Sequence, residues 1–210
     1  MKQLDLDQFR DRFNQARDCV RLVTILSPTC LLCQYGQGVI RELYENFDTK
    51  MLDGFSIWLP VMNGDNSASA EVQAAKFPVD RVEHIWDPGE RFGKLFAKTL
   101  NLRGIAWDLY VLYAPGVSWN SGMPPEPTFW MHQLPTKTGA NAKLLLAPGR
   151  LAQEVAMLLG REDTEMAWDL AFTLHAKGLG AVKAEKVLST LDEVLVAVDP
   201  DKRSMSGARK

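Results

Sequence analysis

The chain is short of cysteine, histidine and net charge, and each shortage narrows what it can be. Three cysteines and three histidines in 210 residues cannot build a dense disulfide framework. Cys19, His84, His132 and His175 form no recognisable pair spacing for a four-ligand zinc site, so no metal centre or cofactor is expected from them. The formal charge of −2 gives no electrostatic reason to expect nucleic acid or an anionic membrane as the main partner. The one basic run, Lys202-Arg203 then Arg209-Lys210, reads as a disordered tail. No uninterrupted apolar run is long enough to span a bilayer. Met1 to Arg17 is studded with Asp, Arg and Gln and has no signal-peptide pattern. The expectation is therefore a cytoplasmic protein whose thiols are kept mostly reduced. A hydrophobic content of 46% and a charged content of 24% are ordinary for a soluble chain. The length allows one substantial core with a small appended unit, and repeats and low-complexity tracts are missing.

What is present is one sharp chemical signal. Cys30-Leu-Leu-Cys33 falls where a buried-strand pattern, Val20-Arg-Leu-Val-Thr-Ile-Leu26, gives way to an amphipathic helix. Tyr35, Val39, Leu43 and Phe47 recur every four residues after it. Backbone N–H groups at a helix start have no intrahelical partner, and that end of the dipole is positive. A thiolate at Cys30 is stabilised there, and the thiolate is the form that attacks disulfides or binds soft metals. A second sulfur two residues further on can reach the first. Leu31 and Leu32 stabilise no charge, so the helix terminus is expected to be the main source of any acidity in Cys30. Moderate acidity suits a reductant better than a strong oxidant.

Around this motif, Leu4, Phe9, Phe13 and Ala16 mark a first helix. Phe55–Met62 reads as a second strand, and Asn63-Gly-Asp-Asn-Ser turns into a helix over 67–77 with Ser67 as its N-cap. Arg81–Trp86 is a short strand, and residues 90–101 are helical, with Asp87 suited to their start. Ala106–Tyr113 and Thr128–Leu134 form a hairpin across a long proline-rich loop over 115–127, and Arg150–Leu159 is a last helix. The order β-α-β-α-β-α-β-β-α gives an α/β class, a central mixed sheet flanked by helices. After Gly160-Arg161 the pattern is purely helical. Gly178-Leu-Gly180 with the following Ala and Val-Leu is helix-hairpin-helix-like, though a plain helical hairpin fits its charge better.

A strand delivering Cys-x-x-Cys to a helix, followed by βαβ, a hairpin and a final helix, resembles the thioredoxin-like fold. The resemblance implies a thioredoxin-like domain over 1–161 and a helical C-terminal extension over 162–210. It also implies a thiol–disulfide oxidoreductase in which Cys30 is the nucleophile and Cys33 resolves the mixed disulfide. The family's buried acid falls on Thr24, which cannot accept a proton at neutral pH, and an aromatic residue before the first cysteine is replaced by Thr29. The proline opposite the cysteines is replaced by Trp107 or Ala106, which leaves ligation of a soft metal ion such as Cu(I) or Hg(II) open. Asp108 is a candidate for the missing acid. Trp86-Asp87 and Trp107-Asp108 lie at strand ends expected on the cysteine edge, so Thr29, Trp86, Trp107 and Asp108 are the candidate substrate-binding residues. The partner is expected to be a protein or small-molecule disulfide, with specificity residing in the loop 115–127 and the extension. A homodimer through the C-terminal helices and a non-catalytic interaction module remain alternatives.

Overall fold

Val20–Leu26 is buried at all seven positions and forms β1, the axis of the sheet. The β-branched and aliphatic run leaves it no solvent face, so it can only be a central strand. The structure, a computed structural model, describes residues 1–47 and 49–161. The expected helical extension over 162–210, its helix-hairpin-helix pattern and the dimer through it lie outside the described residues. The elements in chain order are α1 (Leu6–Gln15), β1, α2 (Leu31–Asn46), β2 (Leu52–Trp58), α3 (Ser67–Ala74), β3 (Val82–Trp86), α4 (Arg91–Thr99), β4 (Leu109–Tyr113), β5 (Phe129–His132) and α5 (Pro148–Leu158).

The five strands lie in the order β3-β2-β1-β4-β5. β1 pairs in parallel with β2, from Val20 opposite Leu52 to Leu26 opposite Trp58, and β2 pairs in parallel with β3. β4 runs antiparallel to β1, with Leu109 opposite Ile25 and Tyr113 opposite Arg21, and β5 closes the hairpin. Strand alternation divides the core into two layers. Leu22, Leu26, Tyr110 and Leu112 pack with Val39, Ile40, Ala70, Leu151 and Val155, from the face carrying α2, α3 and α5. Val23, Ile25, Phe55 and Val111 pack with Phe9, Phe13, Phe92 and Phe96, from the face carrying α1 and α4. This is the thioredoxin-like architecture expected above, a mixed sheet flanked on both faces.

Several boundaries move for local reasons. β2 ends at Trp58 rather than reaching Met62, because Pro60 has no N–H to give the ladder. Asn66, not Ser67, caps α3, accepting from the Ser69 N–H at 2.9 Å. β4 begins at Leu109 instead of Ala106, because Asp108 takes the left-handed conformation with φ of 53° and interrupts the extended chain.

The proline-rich loop 115–127 requires a larger correction. The antiparallel direction of β4 carries it to the end of the sheet away from Leu26, so it cannot shape a site at the cysteines. Trp119 is 1% exposed and packs edge-on against Phe9, Phe13 and Phe96. Its backbone N–H donates to Asn14 Oδ1 at 2.8 Å, and its indole N–H donates to the Ser121 carbonyl at 2.9 Å. Arg21, fully buried, donates to the carbonyls of Val117 at 2.7 Å and Ala114 at 2.6 Å. The loop is a cover over the aromatic layer. Truncating Trp119→Ala is expected to cost about 3–5 kcal/mol of stability, as loss of a buried aromatic does. Alkylation of Cys30 by iodoacetamide should proceed at the wild-type rate in the folded variant. Denaturant titration and alkylation kinetics check the two statements.

Candidate functional site

Beyond Leu26 the chain leaves the sheet and turns through Ser27-Pro28-Thr29 into α2, with Cys30 as the N-cap residue. Cys30 Sγ takes the role usually filled by Ser or Asp, accepting from the Cys33 N–H at 3.4 Å. The turn is pinned by Asp65, from the segment after β2. Thr29 donates to Asp65 Oδ1 through its N–H at 3.0 Å and its hydroxyl at 2.6 Å. The Ser27 hydroxyl at 2.7 Å and the Met62 N–H at 2.8 Å fill Asp65 Oδ2. Gln34 adds a bond to the Pro28 carbonyl at 3.0 Å. A loop held at this many points presents its cysteine in one place.

Both cysteines are free thiols; Cys30 is partly exposed and Cys33 is completely buried. Their environments drive them apart. The Cys30 thiol is brought down to about 7, chiefly by a hydrogen bond from the Cys33 thiol, with the backbone N–H groups of Cys33 and Leu32 adding to it and burial and Asp65 opposing. The helix terminus thus contributes, but as the lesser partner, which corrects the expectation that it would dominate. Burial pushes Cys33 well up, and its proton, shared towards Cys30, raises it further. One sulfur is ready to ionise while the other holds its proton.

The carboxyl group near them is Asp108, 1% exposed, with an oxygen and both sulfurs all within 4.8 Å of one another. Burial and the neighbouring Cys30 thiolate push it up to about 8, against the pull of the Tyr110 hydroxyl. That hydroxyl donates to Asp108 Oδ1 at 2.5 Å. Gln133 faces acceptors, so its amide nitrogen turns towards them, its two N–H groups shared among Asp108 Oδ1 at 3.1 Å, Tyr110 Oη at 3.0 Å and the Leu32 carbonyl at 3.1 Å. Asp108 Oδ2 is buried and without a hydrogen-bond partner among the described residues. At Thr24, where the family's acid was sought, a hydroxyl pairs with the Ser56 hydroxyl at 2.9 Å. The buried carboxyl group near the sulfurs stands at the start of the hairpin instead.

The other candidates separate. Thr29 is at the rim, occupied with Asp65. Trp107 is half-buried against both core layers. Trp86 is 7% exposed at the end of β3, two strands from β1, and packs in the α2 layer. Asp87 accepts from the Phe92 N–H at 2.8 Å, serving the start of α4 as expected. His132 bridges the Asn141 carbonyl at 2.9 Å and the Leu134 N–H at 3.0 Å, a structural staple. Asp65, Tyr110 and Gln133 escaped the sequence reading. Tyr110 and Gln133 carried a weak signal, since they flank the same hairpin end as Asp108, whereas Asp65 looked like any turn residue.

No family model matches the chain, and no curated protein matches it. Among solved structures it is similar to thioredoxin-like and DsbE-like proteins. One is a thioredoxin-like protein solved in its oxidized form, at 12% identity, covering 76% of this chain and 86% of that one with a TM-score of 0.48. Another is DsbF of Mycobacterium tuberculosis, at 12% identity, 69% and 84% coverage and a TM-score of 0.45. A third is a secreted M. tuberculosis disulfide oxidoreductase homologous to E. coli DsbE, at 10% identity, 68% and 84% coverage and a TM-score of 0.45. At such identities the function has to be read from the site itself. Replacing Cys33→Ala removes the leading donor to Cys30, so the Cys30 thiol should rise from about 7 towards the ordinary cysteine value. Cys33→Ser keeps an O–H donor and should raise it less. Thiolate absorbance against pH separates the two, and equal values in both variants would contradict the assignment.

Proposed function

We propose that the chain is a thiol–disulfide oxidoreductase in which Cys30 attacks and Cys33 resolves. The observation that carries this is the trio itself: a partly exposed sulfur of lowered pKa, a buried protonated thiol and a buried carboxyl group within 4.8 Å. Those are the parts that thiol exchange requires. The Cys30 thiolate attacks one sulfur of a substrate disulfide; a Cys30–substrate bond forms, the substrate S–S bond breaks, and the leaving sulfur takes a proton from solvent. Cys30 is then no longer an anion, so its charge ceases to raise Asp108, and the ionised carboxylate can accept the Cys33 proton. Cys33 attacks Cys30 Sγ, the intramolecular disulfide closes, and the substrate departs as its second thiol. Two electrons pass from the pair to the substrate.

Several features support a reducing direction. The acidity of Cys30 is moderate, and neither Leu31 nor Leu32 adds a charge that would stabilise the reduced pair strongly. A reductant fits a cytoplasmic setting, which is part of the proposal. With the loop 115–127 at the far end of the sheet, substrate selection falls to the surface beside Cys30, where Leu31 is 44% exposed, and the substrate is a protein or small molecule presenting a disulfide there.

One observation favours a second reading. Two sulfurs and a carboxylate oxygen gathered within 4.8 Å are also donors suited to a soft metal ion such as Cu(I) or Hg(II), carried without turnover. The two readings part on experiment. Cys30→Ser should abolish reduction of a test protein disulfide, and Cys33→Ser should accumulate a mixed disulfide detectable by mass. Alkylation of wild-type Cys30 should rise through pH 7 and fall to about a tenth of its alkaline plateau one unit below it, because only the thiolate reacts. Disulfide reduction that survives Cys30→Ser sinks the first reading. Stoichiometric Cu(I) retention without disulfide turnover establishes the second.

Asp108 should also trade stability for reactivity. Folded, it keeps its proton to about 8, whereas an unfolded aspartate ionises near 4. Between those values folding takes up a proton, so this residue's contribution falls as pH rises, is fully adverse above 8 and vanishes below 4. Asp108→Asn is expected to be more stable than wild type at neutral pH, by an amount on the order of a few kcal/mol, and slower in resolving the mixed disulfide. Denaturant titration at pH 4 and pH 8 checks the sign, since the gain should shrink at the lower value.

A further inference from the structure

We infer that Tyr110 and Gln133 are positioning residues, which lock one oxygen of Asp108 so that the other is left to exchange a proton with Cys33. This rests on the oxidoreductase reading above and names residues that the reading does not require. Tyr110 is completely buried and Gln133 is 5% exposed, and neither is placed there by apolar packing alone. Their polar atoms converge on one point: Tyr110 Oη lies 2.5 Å from Asp108 Oδ1, and the Gln133 amide nitrogen lies 3.1 Å from the same oxygen. With Oδ1 occupied twice, the carboxyl group cannot rotate freely, and Oδ2 is left as a buried acceptor without a partner among the described residues, on a carboxyl group that brings an oxygen within 4.8 Å of both sulfurs.

The backbone is shaped to admit this arrangement. Gly36 stands on α2 just after the cysteines, and a Cβ there would meet Tyr110 Oη at 1.6 Å. Only a glycine lets the hydroxyl sit under the helix. Gln133 also donates to the Leu32 carbonyl between the two cysteines, and its N–H donates to the Asp108 carbonyl at 3.0 Å. It therefore fixes the distance between the hairpin end and the motif. The titratable groups facing Asp108 are Cys30 and Cys33 from α2 and Tyr110 from β4, while Gln133 is uncharged. Donation from both residues favours the ionised carboxylate, the form that can take the Cys33 proton. Without them burial and any charge on Cys30 act on Asp108 with only the Cys33 thiol opposing, and it keeps its own proton to higher pH.

Ellman's reagent separates the steps on the full chain carrying Cys19→Ser, which removes the third, partly exposed thiol. Attack by Cys30 releases one thionitrobenzoate and leaves a mixed disulfide; attack by Cys33 on Cys30 Sγ releases the second and closes the internal disulfide. For Tyr110→Phe, which keeps the ring, the ratio of second-phase to first-phase rate at pH 7.5 should fall at least tenfold, with the second phase recovering at more alkaline pH. Gln133→Met should act in the same direction, as should Gly36→Ala, which displaces the hydroxyl without removing it. In an Asp108→Asn background, Tyr110→Phe should change the ratio less than twofold. An unchanged ratio in Tyr110→Phe and Gln133→Met overturns the inference, as does a full tenfold fall that persists in the Asp108→Asn background. Failure of the oxidoreductase reading looks different: the wild type itself would then stop at the Cys30 mixed disulfide, detectable by mass, with no second phase and no internal disulfide.

Discussion

A carboxyl group held out of water against two sulfur atoms is the constraint around which the reactive edge of the sheet is built. Removing Asp108 from solvent disfavours its charge, and a negative sulfur nearby disfavours it further. Such a group persists only where its surroundings determine it. Here they do so from three directions: a phenol from β4 two residues on, an amide from just beyond β5, and the start of α2 with its two cysteines. The left-handed backbone at Asp108 belongs to the same arrangement, since aspartate tolerates φ of 53° better than most residues do.

The two ends of the sheet divide stability from chemistry. At the far end Arg21 gives its guanidinium to backbone carbonyls and lies over the Phe13 ring at 4.4 Å, and Trp119 fills the aromatic layer beside it. Those contacts are buried and fixed. At the near end the buried groups are ionisable and one Asp108 oxygen has no partner among the described residues, an arrangement that costs stability and that the proposed mechanism uses as a proton acceptor. Parallel β1 and β2 with antiparallel β4 bring Cys30, Asp65 and Asp108 to that one edge from three separate connections.

Most of the framework was legible because it is written in periodicity. The apolar run at 20–26 and the four-residue spacing after Cys33 each correspond to one element, and the order of elements is enough to name the sheet. What was not legible depends on breaks in periodicity or on distant partners. A strand drawn from Ala106 to Tyr113 assigns Asp108 a face by alternation, but the left-handed turn at that residue ends the alternation. Asp65 lies thirty-six residues from Thr29, and nothing in a turn sequence says whose N–H groups it will accept. The prolines of the loop 115–127 say nothing of its direction, which the antiparallel pairing of β4 sets towards the opposite end. The main source of Cys30's acidity is not legible in the sequence, because the influence of the Cys33 thiol depends on side-chain rotamers that spacing does not specify.

The origin of the acid has a consequence for how the site works. An acid on β1, where Thr24 stands, would share one continuous strand and turn with Cys30 and could hardly move relative to it. Asp108 sits instead on the β4–β5 hairpin, and its distance from the sulfurs depends on how that hairpin meets α2. The junction is made by a few groups: Gln133 to the Leu32 carbonyl, and the Tyr110 hydroxyl under Gly36. Anything that bends the start of α2, including formation of a bond between Cys30 and a substrate, acts on that junction. In the proposed mechanism, proton acceptance by Asp108 is therefore tied to the conformation of the motif, through contacts that an acid on β1 would not need.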